Sequence, residues 1–442
     1  MDTPIADFLA QYRGSGTARF HMPGHKGRPF LGCEPLDITE VAGADSLYEA
    51  AGVIAQSEEN ARRLFGTGRT LYSTEGSSQC VRAMLYLALL ARPAGRAPVV
   101  LAARNVHRSF VTAAALLDFE TVWLWPEEGK GSLCGCPVSP ESLAAELERL
   151  PEPPAAVYLT SPDYLGGMAD LGAMAEVCHR HGTLLLVDNA HGAYLRFWKE
   201  PSHPMDLGAD LCCDSAHKTL PVLTGGAYLH IGKNAPAEIR DQARTAMALF
   251  GSTSPSYLTM ASLDLCNRYL DGDYPARLAE TADWIGEGRR RLRAAGWRVE
   301  ETDPLRLTLR AGRDRTGTEL QERLRKGGVE CEYADPDYLV MMLTPENRRE
   351  ELDRAVELLG GGNWAPPLAL PPAKGERVLS IRQAMFSPRE TVPAEASLGR
   401  ICGAPTVACP PAVPVAVSGE RIGPEALTLI RHYGIRYVDV LK

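Results

Sequence analysis

The chain has 442 residues, 45% of them hydrophobic, 23% charged and 7% aromatic. This is ordinary globular composition, long enough for several domains of roughly 100–200 residues, and it excludes a disordered chain, a fibre and a small disulfide scaffold. The net charge of −8 gives a nucleic-acid partner no bulk electrostatic support.

The 11 cysteines are odd in number and scattered. No CxxC pair or zinc-type spacing occurs, so they read as buried or free thiols of a reducing compartment, and no metal is expected. The N-terminal stretch MDTPIADFLAQYR lacks the basic and apolar regions of a signal peptide. No apolar run approaches the roughly 18–20 residues of a transmembrane helix. A cytoplasmic protein with no membrane partner is expected.

In chain order, a short helix is predicted over Pro4–Tyr12. From Ser57 to about Ile231, strand-like and helix-like stretches alternate. Predicted strands are Thr70–Ser73, Val99–Ala102, Thr121–Leu124, Ala156–Thr160, Leu184–Val187 and Ala227–Ile231. Between them, Gln79–Ala91 is rich in Ala, Leu and Met at helical spacing. Leu171–His181 closes on His179, Arg180, His181 and Gly182, a helix C-terminal signal. Apolar strands alternating with helices predict an α/β domain with a mostly parallel sheet and helices on both faces. Such sheets bind ligands at the C-terminal ends of their strands.

Beyond this come helices over Ser256–Leu270 and Pro275–Ala295, the second highly charged and placed to link two domains. Trp297–Leu309, Gly328–Tyr333 and Leu339–Leu343 read as strands around a helix Thr318–Arg325, followed by a helix Pro345–Leu359, a small α+β unit. Gly360–Trp364 and the proline-rich stretch after it read as a linker. The last unit, from Arg377 to Lys442, carries a helix near Pro424–Tyr433. The expected boundaries are 1–56 for an N-terminal segment, 57–272 for the large domain, 273–362 for the small domain and 363–442 for the C-terminal domain.

Four elements carry chemistry. Lys218 stands in SAHKT, in a stretch with little other surface character; a buried lysine amine has a lowered pKa and can bond an aldehyde covalently. Asp188 follows a fully apolar strand, where a parallel sheet presents its carboxylate to a ligand. Gly76, Ser77 and Ser78 follow a strand and open an Ala/Leu-rich helix, so free amides and two hydroxyls could cradle a phosphate. His107 follows the strand Val99–Ala102 and could stack on a ring. Aspartate and lysine one strand apart suit pyridoxal phosphate, whose ring nitrogen needs a carboxylate and whose aldehyde needs an amine. Taken singly, each of the four is also a plain cap, turn or surface residue.

With these residues in place, the chain resembles the ornithine/lysine/arginine decarboxylases of bacteria, within the fold-type I (aspartate aminotransferase-like) pyridoxal-phosphate enzymes. The resemblance covers nearly the whole chain. It rests on HMPGHKGR (His21–Arg28), DITEVAGADSLYEAAGVI (Asp37–Ile54), EGSS, RNVHRS, SPDYLGG (Ser161–Gly167), VDNAHGA, DSAHKTLP, STSPSY (Ser252–Tyr257), SPRE (Ser387–Glu390) and PPAVP (Pro410–Pro414).

The resemblance implies the following roles. Lys218 would bond the cofactor aldehyde, Asp188 would pair with the pyridinium nitrogen, and His107 would stack on the ring. Gly76, Ser77, Ser78, Ser215 and His217 would surround the phosphate. Thr253 or Ser254 would reach the phosphate of a neighbouring subunit in a homodimer or pair of dimers with shared active sites. His191 and Asp163 would line the same region. The implied reaction is decarboxylation of a basic amino acid, arginine before lysine and ornithine, in polyamine synthesis. Glu390, with Asp45 and Asp163 behind it, would receive the basic tail, and Arg382 could take a carboxylate. Transamination, β-elimination, a non-catalytic cofactor-binding protein and a different phosphate ligand stay open at this stage. Two departures stand out. The family's Asn-Gly-Thr-Ser-like loop is Glu75-Gly76-Ser77-Ser78, and its Pro-Pro-Gly-Ile-Pro-like turn has Ala412 in place of glycine. PGHKG already begins at Pro23, so the N-terminal wing of the large family members is not expected.

Overall fold

The computed structural model describes residues 1–126, 132–312, 314–363, 372–407 and 412–442. Its strands are β1 (Arg69–Ser73), β2 (Val99–Ala103), β3 (Glu120–Leu124), β4 (Ala156–Thr160), β5 (Leu184–Asp188), β6 (Leu211–Asp214) and β7 (Ala227–Ile231). There follow β8 (Arg306–Arg310), β9 (Tyr333–Ala334), β10 (Tyr338–Met342), β11 (Arg389–Pro393), β12 (Thr406–Val407), β13 (Pro414–Ala416) and β14 (Tyr437–Leu441). The chain divides into two compact units. The first holds Met1–Arg96, Ala155–Val157 and Leu171–Ala279, and the second Ala97–Pro154, Tyr158–Asp170 and Glu280–Lys442. The boundary between Ala279 and Glu280 falls inside the helix Tyr274–Ala294, which the sequence marks as a link.

In the first unit β7 lies between β1 and β6 and runs antiparallel to both, with Leu71 opposite Leu229 and Cys212 opposite His230. β5 pairs parallel with β6. Thus β1, β5 and β6 share one direction, and their C-terminal ends meet at one edge. β7 is buried along its whole length, as its near-continuous apolar run requires. The helix Val53–Phe65 buries Ile54, Ala61 and Phe65 and stops at Gly66, whose φ of 67° lets its amide reach the carbonyls of Arg62 and Arg63. The helix Pro4–Gly14 is held by Asp264, whose Oδ2 accepts the amides of Ile5 and Ala6 at 2.9 and 3.0 Å. That carboxylate caps two of the donors a helix start leaves without partners.

The strand β6 is absent from the sequence expectation, which reads Asp206–Cys213 only as an apolar segment. It is four residues long, contains two cysteines, and is recognisable as a strand only through its buried neighbours. The direction of β7 is likewise set by its pairing and not by its own residues.

The second unit contains the parallel pair β2–β3, the antiparallel sheet β8–β10–β9 and the antiparallel pairs β11–β14 and β12–β13. Around the helix Pro424–His432, Ile430, Ala426, Ile422, Cys402, Val438 and Val440 form one apolar core. Each large side chain buried there contributes roughly 1.5–3 kcal/mol. The single strand expected over Trp297–Leu309 is only β8 at its end, because Asp303 and Pro304 turn the chain first. The helix expected from Pro345 begins at Arg349, after a turn closed by Thr344 and Asn347. Trp364 and the proline-rich linker up to 371, and Pro410 and Pro411 of PPAVP, lie outside the described residues. Among the described residues no helix is long and apolar enough to cross a membrane.

Candidate active site

The edge where β1, β5 and β6 end collects the chemistry of the first unit. β5 ends on Asp188, which is 3% exposed. Its Oδ1 accepts the amide of Ala190 at 3.2 Å and the thiol of Cys213 at 3.6 Å. β6 ends on Asp214, and Ser215 then leads into the single turn Ala216–Thr219 that carries Lys218. Lys218 Nζ lies 2.8 Å from His191 Nε2, so the lysine tip is held by a residue three positions after Asp188. Lys218 therefore stands one helical turn beyond a strand end, a placement hidden in the sequence because β6 was.

β1 leads into the cradle. Gly76 has φ 71°, the left-handed region that favours glycine, and its amide donates to Gly225 O at 2.7 Å. A side chain on Gly76 would meet nothing within 4 Å, so space lies open in front of the helix Ser77–Ala91. The first amides of that helix have no partner within the helix. Ser215 Oγ donates to Ser77 Oγ at 2.8 Å, joining the strand end that bears Lys218 to the cradle. Gly225 and Gly226 make their close approach to the protein itself. An added Cβ would stand 2.7 Å from Thr74 O at Gly225 and 2.3 Å from Val222 at Gly226. This glycine pair therefore serves close packing within the protein.

His217 faces Gly226, with Nδ1 3.0 Å from its carbonyl. The carbonyl can only accept, so Nδ1 carries the proton. Burial holds this imidazole below its usual range, and the Lys218 charge adds to the effect. In that neutral form Nε2 is an acceptor, so contact with a phosphate would require a second proton. Glu75, the residue that departs from the family loop, accepts the amide of Ser252. It thereby ties the loop bearing Thr253, itself exposed, to the cradle.

His107 belongs to the second unit. It caps the helix Arg108–Leu117, its Nδ1 accepting from the Ser109 amide at 3.2 Å and lying 2.8 Å from Ser109 Oγ. The next amide, of Arg108, donates to Ala412 O at 2.9 Å. Ala412 has φ 59°, where a glycine would be unstrained. Asp163 Oδ1 accepts the amides of Leu165 and Gly167, both at 2.9 Å, and burial pushes its carboxyl up to about 6. Glu390 lies on β11, paired with Arg400 at 2.6 Å. Arg382 donates to the carbonyls of Ala115 and Leu116 at 2.8 and 3.3 Å, closing the C-terminal end of the helix that His107 opens. Asp45 folds back on its own loop, accepting the amides of Ser46, Ala51 and Gly52.

Sequence reasoning passed over Asn189, His203, Asp214 and His230. His203 Nε2 and His230 Nε2 both lie at Asp214 Oδ2, at 3.0 and 3.1 Å, and Asn189 Nδ2 donates to Asp214 Oδ1 at 2.7 Å. The one available signal was a histidine inside the apolar run AYLHI.

A mostly parallel α/β sheet with a lysine, a carboxylate and a helix-start cradle at one edge is the architecture of the fold-type I pyridoxal-phosphate enzymes. Solved structures agree in fold. The lysine decarboxylase LdcF of Francisella novicida superposes with a TM-score of 0.82 at 17% identity, covering 100% of this chain and 81% of that one. Residues 3–308 match the family described as Orn/Lys/Arg decarboxylase, major domain, and the chain belongs to that family. Among curated relatives, the uncharacterized protein YaaO of Bacillus subtilis is 29% identical, with 97% of this chain and 93% of the relative aligned. The arginine decarboxylase of the same organism is 26% identical over the same shares.

Proposed function

We propose that this protein is a pyridoxal-phosphate-dependent decarboxylase of a basic amino acid, arginine ahead of lysine and ornithine, which yields the amine used in polyamine synthesis and carbon dioxide. The observation that carries the reading is the joining of Lys218, Asp188 and the Gly76–Ser78 cradle at one sheet edge, in a chain of this family. The residues fit the cofactor. The space in front of Gly76 and the Ser77–Ser215 hydroxyl pair suit a phosphate. Asp188, buried at a strand end, suits a protonated ring nitrogen, and Lys218 suits the aldehyde. When bound, pyridoxal phosphate supplies an electron sink for a bond broken at the substrate's α-carbon.

The chain's own residues then do the rest. Asp188 would hold the ring nitrogen of the bound cofactor in its protonated form. His191 orients the lysine amine, and Lys218 and His107 are the candidates to return a proton to the α-carbon. Glu390 and Asp163 are the candidates for the basic tail. A cytoplasmic homodimer, or a pair of dimers, goes with this reading. Phe20, Phe30 and Leu31 of the N-terminal segment are 95%, 81% and 91% exposed, apolar surface that association would cover. Sedimentation of a monomer at micromolar concentration would remove the dimer from the proposal.

Two measurements test the reaction. Purified protein supplied with pyridoxal phosphate is expected to be yellow, and Lys218→Ala to lose both colour and activity. A panel of arginine, lysine and ornithine, scored for carbon dioxide, amine and keto acid, is expected to give amine and carbon dioxide from at least one of them. Keto acid without amine would make the enzyme an aminotransferase.

A further inference from the structure

We propose that His203, Asp214 and His230 form a buried positioning device that sets Asp188 and Lys218 for the reaction. The inference rests on the cofactor site proposed above. All three side chains are 0% exposed. Asp214 Oδ2 faces both imidazoles, and Oδ1 accepts from Asn189. Asn189 is the residue after Asp188, and its amide also donates to Cys213 O at 3.0 Å. On the other side Asp214 is bonded to Ser215, whose hydroxyl reaches the cradle. One carboxylate therefore grips the ends of both strands that carry the proposed chemistry. Phe65 closes the cluster, its ring 4.4 Å from that of His230 and 5.7 Å from that of His203.

The donor set has the composition of a zinc site, with its donor atoms within 4.8 Å of one another. The surrounding hydrogen bonds assign it otherwise. Thr70 Oγ1 lies 2.9 Å from His230 Nδ1, and the Met205 amide donates to His203 Nδ1 at 3.3 Å. His203 Nδ1 therefore accepts. His230 Nδ1 accepts in the same way when the threonine hydroxyl turns its proton toward it. Both Nε2 atoms then carry protons, aimed at Asp214, and their lone pairs are not available to a metal. A buried carboxylate with three N–H donors keeps its charge and a fixed orientation.

The device can be loosened without touching any residue of the cofactor site. His230→Leu removes one donor at similar volume. His230→Gln retains both links, since its amide can donate to Asp214 and its carbonyl can accept from Thr70. For holoenzyme with His230→Leu, kcat is expected to fall about ten- to a hundredfold with KM little changed, and pyridoxal phosphate to bind more weakly, with an altered visible band before any substrate is added. His230→Gln is expected to restore all three. His203→Leu, on a loop and not a strand, carries the same expectation if His230→Leu does not fold. Folded leucine variants with the wild-type band, cofactor affinity and kcat would overturn the proposal. So would zinc retained stoichiometrically by wild-type protein through dialysis against a chelator, or the lack of downfield imidazole N–H resonances in its proton spectrum. A wild type that never turns yellow refutes the cofactor site itself, whereas a yellow wild type beside unchanged leucine variants refutes only the positioning role.

Discussion

Two buried aspartates, one in each unit, hold their protons in opposite ways. Asp214 in the first unit faces two imidazoles and an amide, and Asp335 in the second faces the Tyr333 hydroxyl at 2.6 Å and the amides of Asp337 and Tyr338. Burial works to raise both. At Asp214 the imidazoles more than reverse it, and the carboxyl lies well below its ordinary value. At Asp335 burial prevails, the Asp337 charge adds to it, and the carboxyl is pushed up to about 6. Each has three donors, so the number of hydrogen bonds does not decide the outcome. What separates them is the identity of the partners: two imidazole N–H groups and an amide turned on Asp214, against a second carboxylate, Asp337, beside Asp335.

The comparison can be broken most forcefully by deleting the carboxylates. Asp214→Leu leaves three buried N–H groups without an acceptor, and a loss of about 3 kcal/mol or more is expected, read by chemical denaturation. Asp335→Asn removes a charge that burial already disfavours, and a change near zero at pH 7 is expected. A milder effect at Asp214 than at Asp335 would refute the contrast.

Acid–base behaviour sharpens it. The folded state holds a proton on Asp335 that the unfolded chain releases near pH 4. Stability should therefore fall as pH rises from about 4 to about 6, by about 1–3 kcal/mol. Asp163 and Asp264, each raised to about 6, act in the same direction. Asp214 has the opposite sign. Its contribution is present above the ordinary carboxylate range and is lost as pH falls below it. Thermal midpoints measured across this range should show Asp335→Asn flattening the slope between pH 4 and 6, and Asp214→Asn weakening the loss at lower pH. The asparagine at 214 can keep both links, because Asn189 Oδ1 is buried with no hydrogen-bond partner among the described residues and can turn to accept.

The smallest effect concerns backbone in place of charge. Ala412→Gly relieves a left-handed alanine and should stabilise the second unit by about 0.5–1 kcal/mol, seen as a raised denaturation midpoint. No change there would mean that the carbonyl bond to Arg108 holds the turn regardless of residue.

Much of this arrangement could be read from residues alone, and the remainder has a common cause. Strands such as Ala156–Thr160 and Ala227–Ile231 are apolar runs long enough to declare themselves, and Asp188 and Gly76 are visible because each adjoins one. β6 is too short and too rich in cysteine to do so. Asp214 was missed with it, since what distinguishes this aspartate comes from His203 and His230, brought to it by a loop and by strand pairing. Ala412 could be marked as a departure, but its positive φ belongs to the folded turn. In each case the missing information was a partner distant in sequence.

β7 has a consequence for how the protein is made. It enters the sheet between two strands that precede it, and Thr70 and His230, which touch across β1 and β7, are 160 residues apart. On the ribosome, β1 and β6 emerge with a gap between them that only later chain can fill. Gly225 and Gly226, which hold the cradle and His217 through their carbonyls, arrive just ahead of that strand. Contacts this distant form late, so Lys218 is synthesised before β7 takes its place in the sheet.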